Sequence, residues 1–322
     1  MKPSTAPVQA PPVQRPGGPP PVSSHGQKRT FLKPQELKRL RNFQFAVKLI
    51  VEGYYQGKHR SPFQDRSSEF ADYRAYAPGD EIRAVDWRAY ARTDRFYIKL
   101  YRKETDLSCM IFVDQSNSMA FKGAGDELTK LEYASYLAAS LSYLLIRQGD
   151  KAGLTLCDDQ IRKFIPPGGT NQTLMREMVA LENIFPGSPT RLATGLQTLF
   201  GMLKRRGLLV VISDFLDDTD SLFSALGMFA HRGFSIMLFH VLTDDELQLP
   251  NAASALFRDP ETHQTLTAEP DAIRAAYQEE MRAFLTDIET RAKARRIHYR
   301  LAPTSQPYQQ ALEAFLTARR GS

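Results

Sequence analysis

Asp114, Ser116 and Ser118 stand at alternate positions of the stretch Asp114-Gln115-Ser116-Asn117-Ser118. Thr190 follows in the loop Pro186-Gly187-Ser188-Pro189-Thr190, and Asp214 comes directly after the apolar run Leu208–Ser213. Carboxylates and hydroxyls are hard oxygen donors. They suit Mg²⁺ or Mn²⁺, and no side chain in the set is soft enough to prefer zinc. The D-x-S-x-S spacing lets one tight loop aim three side chains at a single point. Two carboxylates leave an octahedral shell incomplete, so water or an acidic group from another molecule can finish it. Ser188 is an alternative to Thr190 in the middle loop. Asp and Ser at this spacing also serve as helix caps and turn formers, so the metal reading depends on what carries the residues.

The flanking pattern supplies that support. Leu107–Val113 reads as a continuous apolar strand running into Asp114, and Leu208–Ser213 as a second one running into Asp214. Between and after them the pattern alternates. It predicts helices over Leu128–Gln148, Asn171–Phe185, Arg191–Arg205, Asp220–His231, Asp271–Arg296 and Pro307–Arg319. It predicts further strands over Ala152–Cys157, Ile161–Ile165, Phe234–Leu242 and Ile297–Leu301, with an irregular or hairpin insert at 250–268. Strand–helix alternation with wholly apolar strands implies an α/β fold, a doubly wound and mainly parallel sheet covered on both faces. In such sheets ligands bind just beyond the carboxyl ends of the strands, which is where Asp114 and Asp214 fall.

The rest of the chain divides by composition. Residues 1–33 are expected to form a disordered basic tail, because residues 1–30 hold eight of the twenty prolines and little that could be buried. Residues 34–105 are expected to form a smaller, β-rich N-terminal subdomain opened by a helix over Pro34–Tyr55. Residues 106–322 carry the α/β domain. Of the net charge of +6, five positive charges and no acid lie in residues 1–33, which leaves one for the remaining 289 residues. That distribution argues against a nucleic-acid-binding face. Two cysteines, Cys109 and Cys157, imply no disulfide framework. The absence of a long apolar run and of a signal-peptide pattern points to a cytoplasmic protein without a membrane span.

The block from 67 to 105 has its own character. Tyr73, Tyr76, Trp87 and Tyr90 are interleaved with Arg74, Arg83, Arg88 and Arg92, and with Asp72, Asp80, Asp86 and Asp94. Such a set can form an internal lattice of ion pairs and stacked rings, or a partner-binding surface.

Two resemblances follow from these residues. D-x-S-x-S, a loop threonine and an aspartate after a hydrophobic strand resemble the metal-ion-dependent adhesion site of von Willebrand factor A-like domains. The block SSEFADYRAYAPGDEIRAVDWRAYARTDRFYIKLYRKET at 67–105, with its motif Y-x-x-G-D-x-I-R-x-x-D-W, resembles the bacterial family called domain of unknown function 58, over roughly residues 37–320. The resemblance implies a metal-dependent protein–protein interaction module. It implies an adaptor or chaperone-like partner of a MoxR-type AAA+ ATPase, acting on a client protein. Ser116 and Ser118 would bind Mg²⁺ (or Mn²⁺) directly, and Asp114, Thr190 and Asp214 would complete the site directly or through water. The glycine usual after the second aspartate is Phe215 here.

Other activities find less support. A haloacid-dehalogenase-type phosphatase needs a second aspartate where Ser116 stands. There is no G-x-S-x-G elbow and no G-x-x-x-x-G-K-[ST] loop. The remaining alternative to a metal-dependent module is a metal-independent scaffold that binds through the Arg/aromatic block.

Overall fold

The computed structural model describes residues 40, 42–57, 72–75, 87–93, 95–100, 107–189, 191–250, 255–258 and 265–320. The expected tail at 1–33, the site candidate Thr190 and most of the Arg/aromatic block lie outside these residues.

The central sheet has six strands: β3 (Ser108–Asp114), β4 (Lys151–Cys157), β5 (Ile161–Gly168), β6 (Leu208–Ser213), β7 (Ser235–Leu242) and β10 (His298–Pro303). Their order is β10-β7-β6-β3-β4-β5. All neighbours are parallel except β4 and β5, which pair antiparallel as a hairpin. The expected doubly wound, mainly parallel sheet is therefore the observed one. From β3 the chain first builds outward through β4 and β5, then returns to the other side of β3 for β6, β7 and β10. The direction of winding thus switches between β3 and β6, and a crevice at the carboxyl ends of those two strands is the usual ligand position in such folds.

Strand residues alternate between two cores. Cys109, Ile111 and Val113 face one side with Val210 and Ile212, while Met110 and Phe112 face the other with Leu209 and Val211. The first core is closed by α1 (Phe43–Gly57), α3 (Lys130–Arg147), α4 (Asn171–Glu182) and α9 (Tyr308–Arg320). The second is closed by α5 (Leu192–Met202), α6 (Thr219–His231) and α8 (Pro270–Ala294). Helix α3 is buried almost all round, because the sheet covers one side and α1, α4 and α9 cover the other. It begins at Thr129 in a capping box with Glu132 and stops before Gly149, whose φ of +85° suits the turn into β4.

Helix α1, expected as the opening of the N-terminal subdomain, buries Ala46, Val47, Ile50 and Val51 in the first core of the α/β domain. A separate two-stranded antiparallel ribbon pairs β1 (Asp72–Ala75) with β2 (Tyr97–Leu100), and the short helix α2 (Trp87–Thr93) lies between them in sequence. The insert after β7 contains the short helix α7 (Asp244–Gln248) and a second ribbon of β8 (Ala255–Arg258) with β9 (Thr265–Ala268). Among the described residues no helix is long and apolar enough to cross a membrane.

Candidate metal centre at the switch point

Asp114 is the last residue of β3, and Asp214 follows the last residue of β6. Because these strands are direct neighbours, with Val113 opposite Ile212, the two carboxylates are brought to one point from positions far apart in sequence. Both are fully buried, as are Ser116 and Ser118. Asp114 Oδ1 accepts the Ser116 N–H at 2.9 Å, which curls the loop back over its own side chain. Its Oδ2 accepts the Ser213 hydroxyl at 2.6 Å. The Ser116 and Ser118 hydroxyls lie 3.1 Å apart at the start of a 3₁₀ turn over Asn117–Ala120. Four of the five candidate residues therefore sit in one cluster. Thr190 lies outside the described residues. Ser188, the alternative, turns its hydroxyl toward Arg162 at 3.3 Å.

The loops are tied to each other. The Gly187 N–H donates to the Gln115 carbonyl at 2.7 Å, joining the middle loop to the first. Asp158, just after β4, holds the middle loop through the Ser188 N–H at 3.1 Å and is itself gripped by Arg162 Nε at 2.8 Å. Asp217 accepts the Leu192 N–H at 2.9 Å, which fixes the start of α5 to the third loop. In that third loop Phe215 occupies the position expected of glycine and adopts φ +52°. Its N–H donates to Ser213 Oγ, and its ring is fully buried against His240. Packing thus holds a side-chain-bearing residue in the left-handed region, at a cost of roughly 1–2 kcal/mol.

Three residues essential to this geometry were not singled out from sequence. Ser213 anchors Asp114. Lys130 is fully buried and donates from Nζ to Asp214 Oδ2 at 2.8 Å. It also donates to Glu246 Oε1, on α7, at 2.5 Å. The signal for Lys130 was present: a basic residue in the first turn of α3, where the helix dipole disfavours positive charge.

The two aspartates consequently differ. Burial would raise the Asp214 carboxyl, but the Lys130 charge and hydrogen bond, with the Ser118 hydroxyl, hold it below the ordinary carboxylate range. Among the described residues no cation pairs with Asp114. Burial and the charge of Asp214 push it up to about 7, against the weaker pull of Ser213 and Ser116. A buried carboxylate with no counter-charge, beside two hydroxyl oxygens, fits a hard cation by chemistry. Among the described residues there is no group of three or more His, Cys, Asp or Glu placed to hold a metal, so such a site would depend on its hydroxyls.

The family model described as "Protein of unknown function DUF58" matches residues 72–286. An uncharacterized protein of Mycobacterium tuberculosis (strain ATCC 25618 / H37Rv) is 26% identical over 232 residues, covering 71% of this chain and 72% of that protein. Among solved structures, an aerotolerance-related membrane protein from Bacteroides fragilis is 19% identical, covering 67% of this chain and all of that one, with a TM-score of 0.46. BatB from Bacteroides thetaiotaomicron is 17% identical, covering 66% and 99%, with a TM-score of 0.45. The VWA domain of SpRpn10 is 13% identical, covering 64% and 94%, with a TM-score of 0.41. The fold assignment rests on this chain's own strand order.

Proposed function

We propose, from the premise that this chain belongs to the DUF58 family, that it is a protein-interaction module whose docking depends on a divalent metal at the β3–β6 switch point. Asp114, Ser116, Ser118, Thr190 and Asp214 would hold Mg²⁺ or Mn²⁺. Bound there, the ion would supply a Lewis-acidic position able to take a carboxylate from a partner. The observation that carries the reading is the buried Asp114 carboxylate, without a paired cation among the described residues, beside the paired Ser116 and Ser118 hydroxyls.

The surroundings suit docking. Each of the three loops puts a large apolar side chain in solvent: Phe121 after the first, Phe185 before the Gly187 contact, and Leu216 after Asp214. Phe185 is 73% exposed and borders a groove of about 490 Å³ lined by Leu40, Phe43, Leu128, Tyr136 and Leu181. Apolar surface around a polar centre is characteristic of protein-binding sites. The partner we propose is a MoxR-type AAA+ ATPase, with a further client protein, as the family resemblance implies.

A second reading has one observation of its own. Trp87 is 56% exposed, and Tyr90 and Phe96 stack at 4.4 Å beside it. Aromatic surface of this kind could bind a partner without metal.

Two measurements separate these readings. Calorimetric titration with Mg²⁺ should give saturable binding for the wild type and none for Asp114→Ala; flat titrations for both would refute the metal. Affinity capture should retain an AAA+ ATPase with Mg²⁺ and lose it with chelator. Retention that survives chelator but not Trp87→Ala would instead favour the aromatic surface.

A further inference from the structure

A fully buried lysine beside a metal-type carboxylate is expensive unless it has a task. Removing an ammonium from water costs several kcal/mol, recovered only with excellent partners. Lys130 also sits at the first position of α3, against the helix dipole. Its ammonium makes ion pairs with Asp214 on one side and Glu246 on the other. Local sequence rules fail here in favour of two long-range ion pairs, and such failures mark functional positions.

The contact has a direct electrostatic consequence. Asp214 Oδ2, one of the four carboxylate oxygens of Asp114 and Asp214, already holds a cation at 2.8 Å. Any divalent ion seated against Ser116, Ser118 and Asp114 would meet the Lys130 ammonium as a like charge across Asp214. In a buried cluster that repulsion is weakly screened. Glu246 offers the ammonium an alternative partner at the far end, so Lys130 has somewhere to retain its pairing when Asp214 is drawn toward a metal.

We propose that Lys130 is a tethered competitor for Asp214 that sets the site's affinity for divalent metal, keeping it low. The inference rests on the metal reading given above. A purely structural ion pair would stabilise the fold and leave metal affinity unchanged or lower once broken. A competitor, when removed, raises that affinity.

The test is calorimetric titration with MgCl₂ of four proteins: wild type, Lys130→Met, Lys130→Met/Glu246→Gln and Asp114→Ala. The double variant keeps the net charge of the buried cluster, so it guards against unfolding of the single one. For any variant unfolded without metal, the same affinity is read from the Mg²⁺ concentration that restores its near-ultraviolet circular dichroism. The expected result is at least tenfold tighter Mg²⁺ binding in both Lys130 variants and none in Asp114→Ala. Equal or weaker binding in the Lys130 variants, with the wild type still binding, overturns the competitor and leaves the metal site standing. No binding in any of the four overturns the metal reading, and the competitor with it.

Discussion

Glu177 offers the cleanest measurement of what a buried charge costs this fold. It lies on α4 facing α3, is fully buried, and among the described residues neither carboxylate oxygen has a hydrogen-bond partner. Burial pushes its carboxyl up to about 7, with the nearby Ser142 hydroxyl and Arg176 charge offsetting only part of that. Relative to an ordinary value of 4.5, this corresponds to about 3 kcal/mol of lost stability when the group is ionised. The sign follows from proton linkage. The folded protein holds this proton more tightly than the unfolded chain does. The penalty is therefore full above about pH 7 and fades as the pH falls through 7 toward 4.5. Glu177→Gln keeps the shape and removes the charge. Urea unfolding of metal-free protein should show the variant more stable by about 3 kcal/mol at pH 8, roughly 1 kcal/mol at pH 5.5, and near parity at pH 4.5. At pH 8 the melting temperature should rise by roughly 6–10 °C. A gap between variant and wild type that stays constant with pH, or widens on acidification, would refute the reasoning, because only the ionised form carries the penalty.

Two further substitutions probe the scaffold around the strand ends. Asp158 is held down at about 2: burial would raise it, but the Arg162 guanidinium and the Ser188 and Gln160 N–H groups outweigh that. Its contribution is present above pH 3.8 and is lost as the pH falls through 2. With Arg162 partly in solvent, Asp158→Asn should cost about 1 kcal/mol at pH 7 by urea unfolding and almost nothing near pH 2. A Cβ added at Gly195, on α5, would stand 2.4 Å from Cys157 Sγ and 3.2 Å from Phe112 Cζ. Gly195→Ala should therefore lower stability by about 1–3 kcal/mol despite the better helix propensity of alanine; a gain in melting temperature would show that the α5–sheet interface yields easily.

Most of the fold was legible because its strands are wholly apolar and its helices periodic. Leu107–Val113 and Leu208–Ser213 gave their positions to within a residue, and the parallel arrangement followed from the helices between them. The observed helix ends shift by a few residues where caps decide. Asp218, for example, caps α6 so that it starts at Thr219 rather than Asp220, and α4 ends at Glu182 rather than Phe185. Less legible was the place of α1. Its apolar face at Val47, Ile50 and Val51 announces a partner but does not name one, and only the coordinates show that α3 and α9 supply it.

At the site, sequence order nominated Asp114, Ser116, Ser118 and Asp214 as candidates that the structure brings together, because an aspartate directly after a buried strand emerges at the sheet's rim. Spacing could not reveal Ser213, since its hydroxyl acts across the strand pair, nor Glu246, which reaches the cluster from beyond β7. Lys130 was within reach of a different kind of reading. Helix α3 begins with a textually ordinary Thr129–Glu132 capping box, which favours acidic residues in its first turn. A lysine inserted into that turn opposes the dipole and forgoes water, so its position must be held by acids elsewhere in the chain. A break of this kind in the local rule marks a long-range partner, but Lys130 was not singled out from the sequence, and the structure supplies the partners, Asp214 and Glu246.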